Sequence, residues 1–514
     1  MDNSYLSHSI IKIEKVSIAY KMKQKQISFI KPYLRPLFFL SFFNLFLISC
    51  SNDDLPNAEL PKETITLDGI ITWEAITDAI NAANKVIING DAPNLQKPLL
   101  IPSNKKIEVN GLLKIQNGFI DAVIEDVAIS DTSITVENAK TKYFAGQQIV
   151  ISDDNQPTQG GGTGQTRRMG TAITITSVTE NIISFAEPIN ETYTMAANAK
   201  VGHCKSVILV ENAGNVSITG TGIVDQNKEN QFDVEPLYIN RVGEDVRYGC
   251  GVTVNGSYNV FVGKGLTSRN AVLHCVQFHE SYDFDIDTLT ADGAHDKGLL
   301  LHDVDNFRVT NVRALNSDWE DGVYLHNDAT NGFIDEIYTE NCSRHGFGIG
   351  KNSSNITVNN VIAKDCGRAG QFFLSSNITI KSFMAIGGGK DRYLQENRPM
   401  FVIMGLTNSE FIIEVSENTL AANGISVIGG SKNLKIKAKV KGLINSEASG
   451  NGIVFGRASG MYPKNITLLN SSITENKTGV IIEDGCENIK AIDSDITGNT
   501  TNVINNAGEQ WNCS

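Results

Sequence analysis

Several things are scarce in this 514-residue chain, and each scarcity removes a class of protein. Basic residues are outnumbered, 44 against 57 acids, for a net charge of −13. That excludes a nucleic-acid partner, because a phosphate-binding surface needs a basic excess. It does not exclude an anionic glycan gripped by a local basic patch. Cysteines number 8, with no CxxC pair and no His/Cys metal spacing, so no zinc site, other metal or cofactor is expected. Aromatics reach only 7% and prolines 12, whereas glycines number 45. After Ala92 there is almost no helical periodicity, and so no crossover helix between strands. At this length the chain must divide into domains or extend as a repeat.

The start is set apart. Lys21, Lys23, Lys25, Lys31 and Arg35 precede the apolar run PLFFLSFFNLFLISC, which stops at Cys50. A basic stretch before a short apolar one is a secretory signal rather than a membrane span. LISC, from Leu47, resembles the lipobox of bacterial lipoproteins. That implies an exported protein, lipid-anchored through Cys50 at the outer membrane or cell surface. Residues 1–50 are therefore expected to be the signal, 51–64 a polar tether and 65–514 the folded domain.

Within that domain, apolar runs recur: HCVQFH from His274, KGLLLH from Lys297, DGVYLH from Asp321, HGFGIG from His345 and AGQFFL from Ala369. Their starts are 23, 24, 24 and 24 residues apart, and each is followed by a polar turn and a second apolar strand. Gly424, Gly452 and Gly479 continue the pattern. Such a unit predicts an all-β fold, a single-stranded right-handed parallel β-helix with coils about 4.8 Å apart. ITWEAITDAINAANK, residues 71–85, predicts a short helix capping its N-terminal end. Antiparallel hairpin signals are scarce.

Columns follow from the stacking. Two residues past each start stand Val276, Leu299, Val323, Phe347 and Gln371; four past stand Phe278, Leu301, Leu325, Ile349 and Phe373. All but Gln371 are apolar, which marks an inward face. Gly298, Gly322, Gly346 and Gly370, one past, predict a sharp turn before each strand. The glycine-rich stretch 153–170 reads as a flexible loop, with Arg167 and Arg168 placed to overhang a groove. Cys342 and Cys366 stack, able to bridge or to rest as buried thiols, while Cys486 and Cys513 could staple the C-terminal cap.

Stacking also gathers charge. His274, Lys297, Asp321 and His345 share the start column, with Asp296, Glu320, Arg344 and Arg368 just before it. The other coils carry nothing comparable. His279, His302 and His326 form a second column at the strand ends, read as a structural hydrogen-bond ladder.

The run from TADGAHDKG through NSDWEDGVYL to NCSRHGFGIG resembles glycoside hydrolase family 28, the polygalacturonase-like enzymes of the pectin lyase-like β-helix fold. GTGIVDQN, residues 220–227, resembles that family's entry strand. The likeness covers about residues 215–375 and implies that Glu320 and Asp321 match the acidic pair and His345 the histidine. The family's first aspartate falls by literal motif at Asp292 and by column at Lys297, beside Asp296. Its Arg-Ile-Lys uronate clamp is replaced at Phe372 and Leu374, so a neutral, sulfated or otherwise substituted galactan-type glycan suits the chain as well as a galacturonan.

Hydrolysis with inversion needs one protonated carboxyl and one carboxylate that activates water. Crowding Asp296, Glu320 and Asp321 supplies the split in acidity. Asp321, assisted by His345, is the expected acid, with Glu320 and Asp296 holding the water. Lys297, Trp319, Tyr324, Arg344, Arg368 and His274 are the expected substrate-binding residues, Trp319 and Tyr324 as sugar-stacking platforms. The expected partners are a polysaccharide or oligosaccharide and, through the lipid, a membrane; the chain is expected to act as a monomer. Two rivals stand beside this reading: a polysaccharide lyase using Lys297, Arg344, Arg368 and His345, and a non-catalytic glycan-binding solenoid.

Overall fold

The computed structural model describes residues 62–514, apart from 157, 160–166, 204–205, 232–237, 240–248, 393, 395, 417–419, 447, 509–510 and 514. The signal, the lipobox with Cys50 and nearly all of the tether lie outside the described residues. The first strand, Lys62–Leu67, starts ahead of the expected boundary at Ile65.

The chain winds as a right-handed parallel β-helix. Each coil contributes to two long sheets. A 13-stranded parallel sheet runs from Leu99–Leu100 to Thr501–Asn505, and a 21-stranded sheet forms the other wall. In the middle coils the second wall is built of long strands such as Asp305–Leu315, Thr330–Glu340, Ser354–Lys364 and Ser376–Ile386. Between the walls one continuous aliphatic and phenylalanine core runs from Ile71 to Ile496.

The columns hold as far as His345, with Leu299 opposite Val323 and Val323 opposite Phe347. The next coil is one residue shorter. His345 faces Arg368, Phe347 faces Gly370 and Ile349 faces Phe372. Ala369, Gln371 and Phe373 are therefore not the column members expected. The slip explains the lone polar exception at Gln371, since Phe372 fills the core in its place and is fully buried.

The glycine column has a different cause from the one expected. Gly298, Gly322 and Gly346 do not adopt positive φ. Their side-chain directions are simply full. A Cβ on Gly322 would lie 2.7 Å from the Gly346 carbonyl oxygen, 2.8 Å from Thr339 and 2.9 Å from Cys342. The left-handed bends are made elsewhere, by Asn306, Asn331, Asn355 and Asn377, with φ between 50° and 57°. Asparagine tolerates this region because its short amide finds local partners. Asn306 donates to Asp283 and Asn331 to Asp305, and from there the partners are other asparagines: Asn355 donates to Asn331 at 3.1 Å and Asn377 to Asn355 at 3.1 Å. The ladder resumes at Asn433 to Asn408, 3.0 Å, Asn465 to Asn433, 3.1 Å, and Asn488 to Asn465, 2.8 Å.

Two more expectations are corrected. The helix spans Trp73–Ala82 rather than 71–85, capped by the Thr72 hydroxyl and burying Ile76, Ala79 and Ile80. Ala83 turns extended and starts the strand Ala83–Ile88, which buries Ala83, Val86 and Ile88 in the core. The solenoid is also interrupted. Between Ile120 and His203 an antiparallel sheet folds out with its own core, including Val136, Tyr143, Ile151, Ile183 and Tyr193. Arg167 and Arg168 belong to its strand Arg167–Val178 and pair antiparallel with Thr158–Gln159, so these residues are strand rather than loop. Cys342, Cys366 and Cys486 are buried free thiols, which removes the bridge and the C-terminal staple; the side chain of Cys513 lies outside the described residues.

Candidate active site

The charged column lies at the corner where the chain leaves the 21-stranded sheet and enters the 13-stranded one. Each coil makes this corner immediately before the apolar strand, so its polar residues pile up on successive turns while the strands behind them hold the register. Asp296 and Lys297 come from one coil, Glu320 and Asp321 from the next, Arg344 and His345 from the third and Arg368 from the fourth.

Two separate groups form. In the first, Lys297 Nζ lies 2.7 Å from Asp296 Oδ1 and 2.5 Å from Glu320 Oε2. Arg344 reaches the other Glu320 oxygen at 3.4 Å, and His274 Nδ1 stands 3.9 Å from Asp296. Burial works against the Lys297 charge, yet Asp296, Glu320 and Asp321 together hold the ammonium well above the usual lysine range. Both carboxylates lie within hydrogen-bond reach of one nitrogen. That is closer than the roughly 6.5–9.5 Å an inverting pair needs to admit a water.

In the second group Asp321 is withdrawn from solvent. Its Oδ1 meets His345 Nδ1 at 2.7 Å and accepts the His345 backbone N–H at 3.1 Å. Burial pushes the fully buried His345 imidazole below the usual histidine range, so it stays neutral at pH 7 against the Asp321 carboxylate. Burial alone would raise Asp321, but His345 and then Arg344 hold its carboxyl below the usual range. The expectation that Asp321 is the protonated acid therefore fails, because the group is ionised and only 1% exposed.

The aromatics differ from expectation in part. Trp319 is buried and its ring stacks on His295 at 5.9 Å, so it offers no platform. Tyr324 lies against Gly348 of the next coil, where a Cβ would meet its ring at 2.3 Å, and sits 6.0 Å from Lys297 Nζ. The clamp positions are also reassigned, since Phe372 faces the core while Gln371 and Phe373 are half-buried. Arg368 turns away to Asp391 at 2.9 Å, leaving Arg344 as the more exposed cation of the corner.

Two partners escaped the sequence reading. Asp391 ends the two-residue strand Lys390–Asp391, paired with Glu396–Asn397 outside the repeat, so no periodic position reveals it. Asp318, from the same acidic stretch as Glu320 and Asp321, joins a different group, 2.6 Å from His295 and 2.7 Å from Lys228. The interval of 23 residues between His295 and Asp318 was the available signal. At the other end of these strands the His279, His302 and His326 rings pack edge to face, with centroids 4.9 Å and 4.6 Å apart.

No family model matches the sequence, and no curated protein matches it. Among solved structures it is similar to the pre-mature form of bacteriophage phi29 gene product 12, at 13% identity over 84% of this chain and with a TM-score of 0.54. It is similar to the N-terminal fragment of the same protein at 14% identity over 83% of this chain, with a TM-score of 0.52. The chain spans 52% of the former and 65% of the latter. A hyperthermoactive exopolygalacturonase from Thermotoga maritima aligns at 12% identity over 84% of this chain and 92% of its own, with a TM-score of 0.36. At such identities the likeness is one of fold, and the fold is the parallel β-helix.

Proposed function

We propose that the protein is a polysaccharide-degrading enzyme that hydrolyses glycosidic bonds of a galacturonan, galactan-type or other acidic or substituted glycan. One observation carries the reading: Asp296 and Glu320, from adjacent coils, converge on Lys297 beside Tyr324 at one corner of the solenoid. Glu320 has two cationic partners and takes the part of the carboxylate that attacks or directs attack at the sugar. Asp296, set between Lys297 and His274, takes in its protonated form the part of the proton donor to the leaving oxygen. Their closeness favours a retaining over an inverting course. Arg344 is positioned to meet an anionic substituent. Asp321 and His345 hold the corner in shape without touching substrate.

The same geometry weighs against a lyase. Proton abstraction beside a uronate needs a neutral base, whereas Lys297 is held protonated by two carboxylates and His345 is enclosed. Incubation with a panel of plant and algal polysaccharides decides the matter. New reducing ends without ultraviolet-absorbing unsaturated ends are expected, and proton NMR of the fresh product reads the anomer. Glu320→Gln is expected to lower the rate roughly 10²–10⁴-fold. Unsaturated ends would establish the lyase, and an intact polymer that still binds would establish the glycan-binding solenoid.

A further inference from the structure

The far ends of the same strands carry a cluster that the acid corner does not use. His279 and His302 close the strands His274–His279 and Lys297–His302, one coil apart and directly opposite in register. Both are buried, and Asp303 follows with its side chain 32% exposed. We propose that His279, His302 and Asp303 form a binding site for a divalent first-row transition ion, with Zn²⁺ and Co²⁺ as the fitting class. This goes beyond the reading of the histidine column as structural alone, and it does not depend on the hydrolytic role of the corner.

Geometry is the first support. One ligand atom from each residue lies within 4.8 Å of the other two, and His302 Nε2 is 3.6 Å from Asp303 Oδ2. Bonds of about 2.0–2.2 Å to a shared ion need only small side-chain rotations to close such a set. The second support is the orientation of the first ring. His279 Nδ1 lies 2.9 Å from Asn255 Oδ1. With an amide oxygen there, Nδ1 carries the hydrogen and the lone pair rests on Nε2, which is how an outer partner prepares a metal-binding imidazole. The donor set then selects the ion. Two imidazole nitrogens and one carboxylate suit zinc and its neighbours, whereas calcium and magnesium take oxygen ligands.

Position limits the role. Five residues of strand separate Lys297 from His302, about 17 Å at roughly 3.3 Å per residue. An ion there cannot act on the bond held at Asp296 and Glu320. With three protein ligands it keeps a coordination position open for water or for a glycan oxygen, and His326, one coil further, is the nearest additional imidazole.

The test uses the untagged full chain, stripped with chelator and titrated with Co²⁺ alone, followed by visible absorption and calorimetry. One Co²⁺ per chain, a saturable ligand-field band and a raised Tm are expected. Asp303→Asn alters a partly exposed side chain and is expected to fold; it should weaken binding about tenfold or more. His302→Gln should do the same, and if it fails to fold, Asp303→Asn decides alone. Absence of a saturable band in the parent chain, or an Asp303→Asn variant that binds as tightly as the parent, overturns the proposal.

Discussion

At the scale of single residues, the acid corner shows why adjacent carboxylates need not share a fate. Glu320 and Asp321 are neighbours in the chain, yet one meets Lys297 and Arg344 while the other is closed in with His345. The buried pair makes stability depend on pH in a definite direction. A histidine in the unfolded chain titrates near 6.5, whereas burial holds His345 lower in the folded one. Below that pH the unfolded state takes up a proton that the folded state refuses, so stability falls as pH drops toward the folded value. The slope contributed is at most about 1.4 kcal/mol per pH unit. Asp321, depressed in the folded state, adds stability that is present above 3.8 and is lost as pH falls through its folded value. Denaturant midpoints measured from pH 7 downward should show the first loss, and His345→Gln should flatten it. An unchanged slope in that variant would show the imidazole to be uninvolved.

At the scale of elements, the bends rest on the asparagine ladder. Asn355 holds φ at 57°, accepts from Asn377 and donates to Asn331. Replacing it with glycine keeps the backbone at ease, whereas valine must enter a region that costs an L-residue roughly 1–2 kcal/mol and loses the amide bonds as well. Asn355→Val is therefore expected to lower the unfolding midpoint clearly more than Asn355→Gly; equal losses would mean that only the side-chain bonds matter. The sequence made the solenoid legible because its signal is periodic. Apolar columns at a near-constant interval state both the coil length and the inward face, and Asp296, Glu320, Asp321 and His345 are placed by the same count. The count failed at Gln371, where one coil loses a residue, and no local feature marks the loss. The antiparallel insertion was missed for a related reason. Its strands alternate like any others, and only the turn at Thr179–Ile182, where Thr179 N–H bonds the Ile182 carbonyl, announces a reversal. Partners such as Asp391 sit outside the repeat, where interval carries no information.

At the scale of the whole molecule, export and anchoring remain a proposal founded on LISC and the polar segment behind it. Cys50→Ala is expected to move the protein from the membrane fraction to the soluble one in a bacterial host, and unchanged retention would remove the lipid anchor from the account. The insertion has a different consequence, one of timing. Ser217 pairs with Lys106 and Ile223 with Leu112 across an interval of 111 residues, whereas coils further along pair at about 24. Closing the longer loop costs a little over two doublings of length, roughly 1.3 kcal/mol more entropy. Coils beyond Val252 can zip from neighbour to neighbour, and those before the insertion pair among themselves, Lys85 with Lys106, but the two stretches join only by the long closure. The rod thus has two stretches able to start on their own, and the insertion sets the one slow join between them.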